Sequence, residues 1–335
     1  MSRMPAEHNH ILVSETVPSM RYDGKHPFAE WQKEARAKLA ELVGMDKFKK
    51  CDPDFQLEFT KEFDTFTEYR FTVQSELDYR VPVHFWVPKA AKKPLGAIVC
   101  LQGHSKGMHI SLGRPKYPGD ENTISGGDRD FAVRTVKEGL CAIVIEQRNF
   151  GECGGTPEGP TCMVSTMAAL LIGRTTIGER VWDTSCVLDA ILEHFGDVVD
   201  PEKLYCMGNS GGGTATFYVG CLDERIKIAM PSCAVCTYKD SIAAMAHCTC
   251  NFIPHIAEYF DMGDLAGLIA PRKMILVHGI QDPIFPDNGV RETYALTQKM
   301  YAYAGVPDNC ALVSGPEGHR FYADLSWPVF HKMED

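Results

Sequence analysis

The sequence lacks the long apolar runs and the basic clusters that would assign it to a membrane or to nucleic acid. None of its 335 residues lies in a stretch approaching the roughly 18 apolar residues that a transmembrane helix needs. Acidic residues outnumber Lys and Arg by 44 to 34, and the resulting charge of −10 argues against a dedicated nucleic-acid binder. Residues 1–20 contain no basic segment followed by an apolar one, so we expect no secretory signal and a cytoplasmic protein.

Three well-known chemical motifs are also missing. The sequence contains no H-E-x-x-H, no G-x-x-x-x-G-K-[ST] and no G-x-G-x-x-G after a predicted strand, which disfavours zincin, P-loop and dinucleotide chemistry. We therefore expect no cofactor. Cysteine, in contrast, is abundant: there are 13, and without an export signal we expect them to be reduced thiols.

Apolar runs that do not alternate with polar residues predict a buried, mainly parallel sheet. The runs are Ala97–Leu101, Cys141–Ile145, Leu204–Met207, Met274–Val277 and the weaker Ala311–Val313. Helix-like segments separate them: Asp130–Glu138, Gly178–Phe195, Gly212–Cys221 and Asn288–Ala304. Because strands alternate with helices, the sequence predicts an α/β fold with helices on both faces of the sheet.

The N-terminal part has a different pattern. Phe28–Val43 has apolar residues at helical spacing and is followed by Gly44, which predicts an amphipathic helix. Three alternating segments follow and predict antiparallel strands that make the sheet mixed: Gln56–Phe63, Thr67–Ser75 and Arg80–Pro88. Since no linker or internal repeat interrupts the chain, we predict one domain, 51–335, with an N-terminal helical extension, 1–50.

A nucleophile-elbow pattern, G-x-S-x-G, occupies Gly208–Gly212. It follows a predicted strand and precedes a predicted helix, as the elbow requires. The sharp turn exposes the serine hydroxyl, and glycines on either side let strand and helix approach closely. We predict Ser210 as nucleophile, with the Gly211 backbone amide facing a developing oxyanion.

The same pattern occurs at Gly103–Gly107, but the following residues, 108–119, contain two prolines and two glycines and predict a loop. An elbow without a helix loses its oxyanion geometry. We therefore interpret Gln102–His104 as the turn that supplies the second oxyanion donor, the backbone amide of His104.

A catalytic serine needs a base, and the base needs an orienting acid. Asp282 follows the predicted strand Met274–Val277, and His319 follows the last predicted strand. The chain order Ser210, Asp282, His319 is the order of α/β-hydrolases. Asp287 and Glu317 compete for the acid role, but Asp287 is better placed to cap the following helix and Glu317 is too near His319 in sequence to reach around it.

At these residues the chain resembles the α/β-hydrolase superfamily, and within it the acetyl-xylan-esterase-like and dienelactone-hydrolase-like branch. The segments that carry the resemblance are WQKEARAKLAELVG, QGHSKG, EQRNFGE, GNSGG, DLAGLIAPRKMILVHGIQDPIFP and GPEGH. The resemblance implies the same triad, the same two oxyanion amides and an α/β-hydrolase fold. Gln102 departs from the His that many hydrolases carry before the glycine, which leaves the substrate preference near it open.

Two further groups have a structural and a functional reading. Arg148 follows a predicted strand and could bind a substrate carboxylate or hydroxyl, but we favour a structural ion pair with Glu146 or Asp120. Cys233, Cys236, Cys248 and Cys250 lie within 18 residues together with His247. Because the second pair is C-x-C, unlike a zinc knuckle, we predict buried thiols and no metal, with a metal site or a redox pair as alternatives. His247 and His255 are expected to line a pocket or the surface.

Together these residues predict a serine esterase that works through an acyl-enzyme. The resemblance implies a small acyl ester as substrate, most plausibly an acetylated sugar or a related metabolite. Three alternatives stay open: a peptidase, a lactone or carbon–carbon hydrolase, and a non-catalytic binding protein on the same fold. We expect no nucleic-acid or membrane partner, and the sequence leaves a homo-oligomer open.

Overall fold

The computed structural model describes residues 3–334. Met1 and Ser2, at the start of the predicted extension, and Asp335, at the end of the predicted domain, lie outside the described residues. Nine strands form one sheet: β1 Gln56–Glu62, β2 Phe66–Glu76, β3 Tyr79–Pro88, β4 Leu95–Leu101, β5 Cys141–Ile145, β6 Val199–Asn209, β7 Ile226–Ser232, β8 Lys273–Gly279 and β9 Cys310–Gly315.

The sheet order is β1-β2-β3-β5-β4-β6-β7-β8-β9. The pairs β1–β2, β2–β3 and β3–β5 are antiparallel. The remaining pairs in the sheet order, from β5–β4 to β8–β9, are parallel. The predicted mixed, mainly parallel sheet is therefore confirmed. β7 was missed because its apolar run, Ile228–Met230, is short and lies between Lys227 and Pro231.

Eleven α-helices accompany the sheet over residues 3–334. They are α1 Pro5–Glu15, α2 Phe28–Leu42, α3 Asp120–Ser125, α4 Phe131–Lys137, α5 Cys162–Leu171, α6 Thr176–His194, α7 Gly211–Leu222, α8 Ile256–Tyr259, α9 Met262–Leu265, α10 Asp287–Tyr303 and α11 Ala323–Glu334. The sequence patterns predicted α2, α4, α6, α7 and α10. They missed the other six, α1, α3, α5, α8, α9 and α11; no side chain of α1 is buried, and α3, α8 and α9 span only four to six residues.

Two hydrophobic cores lie on opposite faces of the sheet. Side chains alternate along β4, so that Ala97, Val99 and Leu101 enter one core while Ile98 and Cys100 enter the other. The first core packs against helices α2, α6, α7 and α10, and the second against α4 and α11. This two-sided burial explains why the central strands read as continuous apolar runs.

Helix α2 joins the predicted N-terminal extension to the first core. Trp31, Ala35 and Leu39 are its buried residues, spaced by four along one face. The indole of Trp31 donates to the carbonyl of Met20 at 2.8 Å and packs against Gly267, where a Cβ would lie 2.9 Å from the ring. Among the described residues, no helix has both the length and the apolar character needed to cross a membrane.

Candidate active site

Ser210 occupies the turn between β6 and α7. Its backbone has φ 57° and ψ −125°, a conformation that L residues with a side chain rarely adopt and that is typical of strained catalytic turns. The glycines flanking it are required by the close approach of chain segments: a Cβ on Gly208 would lie 2.5 Å from the carbonyl oxygen of Gly212. The structure thus places Ser210 on the strained strand-to-helix turn that its sequence pattern predicts.

The turn Gln102–His104, called here the oxyanion turn, lies directly against this elbow. A Cβ on Gly103 would lie 2.8 Å from the carbonyl oxygen of Asn209 and 3.0 Å from Cβ of Ser210. The amides of His104 and Gly211 donate to no protein acceptor within residues 3–334, whereas the amide of Ser210 donates to the carbonyl of Ser232 at 2.8 Å. Two uncommitted amides on either side of Ser210 are what an oxyanion hole requires.

The second G-x-S-x-G segment has no helix behind it. Residues 108–113 form successive turns, and the next helix, α3, begins only at Asp120. The hydroxyl of Ser105 is buried and has no hydrogen-bond partner in the described part of the chain. Ser105 therefore lacks the exposed position of a nucleophile.

Asp282 and His319 meet as the chain order predicts. Asp282 Oδ2 accepts a hydrogen bond from His319 Nδ1 at 2.7 Å. The other oxygen, Oδ1, accepts from the backbone amides of Ile284 at 2.9 Å and Phe285 at 3.3 Å. Burial opposes the charged form of Asp282, but the hydrogen bond from His319 and these amides outweigh it, so the pKa of the carboxyl is lowered. Asp282 is thus a fixed carboxylate that orients His319.

The parallel sheet explains why residues far apart in sequence converge. In adjacent parallel strands, Asn209 pairs with Ser232, Ser232 pairs with Val277, and Gly279 pairs with Gly315. The residues that follow β6, β8 and β9 therefore emerge at one sheet edge, the usual place for ligand sites in this class of fold.

The competing acids are engaged elsewhere. Asp287 lies in the first turn of α10 and pairs with Arg291 at 2.7 Å; Pro286, not Asp287, precedes the helix as its cap. Glu317 pairs with Arg320 at 2.8 Å and its side chain is 63% exposed. Only Asp282 binds the imidazole of His319 among the described carboxylates.

Cys233 is a neighbour of Asp282 and His319 that the sequence did not reveal. Its sulfur and the ligand atoms of Asp282 and His319 all lie within 4.8 Å of one another. Burial, together with the nearby Asp282 carboxylate, raises the pKa of this thiol to about 12, so it is neutral at physiological pH. The signal was present in the missed strand: Cys233 directly follows β7, and the neighbouring strand β8 leads into the turn that contains Asp282.

The four cysteines that lie close together in sequence separate into two parts of the structure. Cys233 lies at the triad, and the sulfur of Cys236 contacts the carbonyl of Pro286 at 3.9 Å. Cys248 and Cys250 instead lie beside His104 and Cys162. Of the four thiols predicted to be buried, Cys233, Cys236 and Cys250 are buried and Cys248 is partly exposed.

The two histidines of this segment have different surroundings. His247 is half-buried, its ring contacts Phe285 edge-on at 5.5 Å, and Phe285 in turn stacks on His319 at 6.1 Å. Burial and the neighbouring imidazoles of His104 and His319 lower the pKa of His247. His247 is therefore a neutral polar group at the candidate site, whereas His255 is exposed and pairs with Glu258.

Arg148 is enclosed in an ion-pair network. Its Nε donates to Asp183 at 2.8 Å, its Nη2 donates to Glu76 at 2.7 Å, and its Nη1 lies 3.5 Å from Glu179. The residue is only 8% exposed, and its guanidinium stacks over the ring of Tyr79. Its donors are committed to protein carboxylates, so the geometry does not support a substrate-binding role for Arg148. The partners expected from sequence were also wrong, because the two acids on α6 that face Arg148 cannot be inferred from chain order.

Glu146, one of those expected partners, instead holds the oxyanion turn. Gln102 Nε2 donates to its Oε1 at 2.6 Å, and the backbone amide of Met108 donates to the same oxygen at 3.1 Å. Burial raises the pKa of this carboxyl to about 7, since the few hydrogen bonds do not replace its lost hydration. The other expected partner, Asp120, pairs with His109 and Lys106.

This raised pKa predicts a pH-dependent stability. Between the ordinary Glu pKa and about 7, the folded protein keeps a proton on Glu146 that the unfolded chain has released. The contribution of Glu146 to the free energy of unfolding is therefore fully present below the ordinary Glu pKa. It is lost as the pH rises from there to about 7, by about 3 kcal/mol in all. Urea unfolding of wild type and Glu146→Gln across this range should show wild type losing stability relative to the variant. A difference in the free energy of unfolding between the two proteins that does not change with pH would contradict the prediction.

Comparisons with known proteins show the family of the chain. A family model described as the Abhydrolase family matches residues 10–316. The Bacillus subtilis (strain 168) protein YtaP, which carries the name of a hydrolase, is 26% identical over 247 residues, covering 72% of this chain and 78% of its own.

Solved structures share the fold over nearly the whole chain. A Bacteroides fragilis NCTC 9343 protein described as an acetyl xylan esterase has a TM-score of 0.84 at 18% identity, covering 100% of this chain and 96% of its own. A glucuronoyl esterase from Solibacter usitatus has a TM-score of 0.66 at 14% identity, covering 96% of this chain and 98% of its own. The predicted α/β-hydrolase fold is confirmed, and the chain belongs to the Abhydrolase family.

Proposed function

We propose that the protein is a serine hydrolase that cleaves a small carboxylic ester through an acyl-enzyme. The observation that carries this proposal is the combination of a strained Ser210 between two uncommitted amides with an imidazole fixed by a buried carboxylate. His319 takes the proton of Ser210 as its hydroxyl attacks the substrate carbonyl. Asp282 holds the required imidazole tautomer and stabilises its positive charge.

The two backbone amides stabilise the tetrahedral oxyanion, each contributing roughly 3 kcal/mol to the lowering of the barrier in comparable sites. His319 then donates its proton to the leaving alcohol, and the same imidazole activates the water that hydrolyses the acyl-enzyme.

For the substrate we propose an acetylated sugar or a related metabolite. The likeness to a structure described as an acetyl xylan esterase supports this class. A cytoplasmic location, which stays a prediction, would make imported oligosaccharides or metabolites the substrates, not insoluble polymer.

A substrate panel tests this proposal. We expect p-nitrophenyl acetate to be hydrolysed faster than the butyrate and octanoate esters, and acetylated xylo-oligosaccharides to release acetate. The methyl ester of glucuronic acid is the comparison substrate, because a glucuronoyl esterase shares the fold. Preference for the uronate ester or for octanoate would contradict the acetyl proposal while leaving the ester hydrolase in place.

A further inference from the structure

Four side chains with metal-binding atoms converge beside the oxyanion turn. They are His104, Cys162, Cys248 and Cys250, called here the Cys₃His cluster, and their ligand atoms all lie within 4.8 Å of one another. The sulfur of Cys250 is 3.1 Å from Nε2 of His104 and 3.3 Å from the sulfur of Cys248. Cys162 and Cys250 are buried, and the other two side chains are partly exposed.

We propose that the Cys₃His cluster binds one zinc ion as a closed structural site. Three cysteines and one histidine form one of the common ligand sets of structural zinc, which is four-coordinate and tetrahedral. With zinc–sulfur bonds of about 2.3 Å, the edges of such a tetrahedron measure about 3.8 Å. The two separations of 3.1 and 3.3 Å are shorter than this edge, and all the others stay within 4.8 Å, so small side-chain adjustments would complete the coordination.

A buried cation without a carboxylate supports the assignment independently. Arg180 is 2% exposed, yet no Asp or Glu within residues 3–334 forms a salt bridge with it. Its nearest polar contacts are the carbonyl of Arg148 at 3.3 Å and the sulfurs of Cys250 at 3.7 Å and Cys162 at 3.9 Å. A buried charge needs a partner.

The formal charges then balance. A zinc ion with three thiolates and one neutral imidazole carries one net negative charge, which the guanidinium of Arg180 neutralises. Arg180 also stacks on Phe150, whose ring meets the imidazole of His104 edge-on at 5.4 Å. The cluster is thus enclosed by a cation and an aromatic ring.

The four ligands come from three separate stretches of chain. His104 belongs to the oxyanion turn, Cys162 is the first residue of α5, and Cys248 and Cys250 lie in the segment that returns over the site. A bound zinc ion would cross-link these three stretches. The imidazole of His104 also packs on the start of α7, because a Cβ on Gly211 would lie 2.6 Å from its Cε1.

A positioning role follows for the metal. The imidazole of His104 is a zinc ligand, while its backbone amide is one of the two oxyanion donors, so the ion fixes the turn that carries that donor. This consequence rests on the proposed function. Zinc binding itself does not, since it is measured without any substrate.

The test is the metal content of the full-length protein, purified without a metal-affinity tag and without chelators. Inductively coupled plasma mass spectrometry should find about one zinc per chain in wild type. Replacement of that zinc by Co²⁺ should give the intense visible bands and the sulfur-to-cobalt charge-transfer absorption of a tetrahedral thiolate site. Cys162→Ser should lose the zinc. The matched control is Cys186→Ser, a half-buried cysteine on α6 outside the cluster, and it should retain the zinc.

The wild-type measurements keep the proposal falsifiable even where a variant does not fold. Wild type without zinc that also fails to take up Zn²⁺ or Co²⁺ under reducing conditions would overturn it. A Cys248–Cys250 disulfide would overturn it as well; the two sulfurs would have to close from 3.3 Å to about 2.05 Å. Zinc bound with equal stoichiometry in Cys162→Ser would show that the ion sits elsewhere. An inactive wild type that holds zinc would refute the proposed function and leave the metal site standing.

Discussion

Ser210→Ala is expected to lower kcat/KM for p-nitrophenyl acetate by roughly 10⁵- to 10⁶-fold, the range seen when a catalytic serine is removed from a working triad. Alanine removes only the attacking oxygen. It keeps a Cβ at the strained turn, and the packing of Gly208 against Gly212 does not involve the hydroxyl. Circular dichroism and thermal unfolding should therefore match wild type, while the turnover that remains is only what the oxyanion amides and substrate binding supply.

The chain offers a matched control for this substitution. Ser105 sits in the same G-x-S-x-G pattern, but its buried hydroxyl has no partner in the described residues. Ser105→Ala removes an unpaired polar group, so neither stability nor activity should suffer. A large loss in Ser105→Ala with activity retained in Ser210→Ala would mean that the other turn carries the nucleophile.

Asp282→Asn is expected to lower kcat by about 10⁴-fold. The asparagine amide has the same shape, and its oxygen can still accept from the amides of Ile284 and Phe285. Its NH₂ group, however, would face Nδ1 of His319 and donate to it, where Asp282 now accepts at 2.7 Å. The proton of the imidazole would then sit on the other nitrogen, so His319 could not accept the proton of Ser210.

The two competing acids are the controls for this prediction. Asp287→Asn and Glu317→Gln remove carboxylates bound to Arg291 and Arg320, respectively, away from the imidazole of His319. Both variants should keep kcat close to wild type, measured with p-nitrophenyl acetate alongside Asp282→Asn. If kcat falls by a large factor in either control and not in Asp282→Asn, the acid has been assigned to the wrong residue.

The sequence predicted what depends on local pattern and on chain order. Ser210 was found because the strand, the glycines and the following helix are contiguous. Asp282 and His319 were found because the carboxyl ends of parallel strands share one sheet edge. The short strand β7 was not predicted because its apolar run is too short. The position of Cys233 beside Asp282 was therefore not predicted either.

Other features depend on tertiary packing that no local pattern encodes. The partners of Arg148 lie on β2 and α6. Glu146 and Asp120 were expected in their place because they are nearer to Arg148 in sequence. The cysteines were grouped by their spacing, whereas the Cys₃His cluster takes Cys162 from 86 residues before Cys248 (248 − 162). Ligands that come from separate loops leave no spacing signature, and the sequence alone therefore predicted buried thiols without a metal.

The most direct test of the central claim, that Ser210 is an activated nucleophile, is covalent labelling with a fluorophosphonate followed by peptide mass spectrometry. The triad predicts one adduct per chain on the peptide that contains Ser210, and labelling should fall sharply in Asp282→Asn because the base is then misoriented. The peptide that contains Ser105 should remain unmodified. Absence of any adduct on Ser210 in folded wild-type protein would contradict the assignment of the triad.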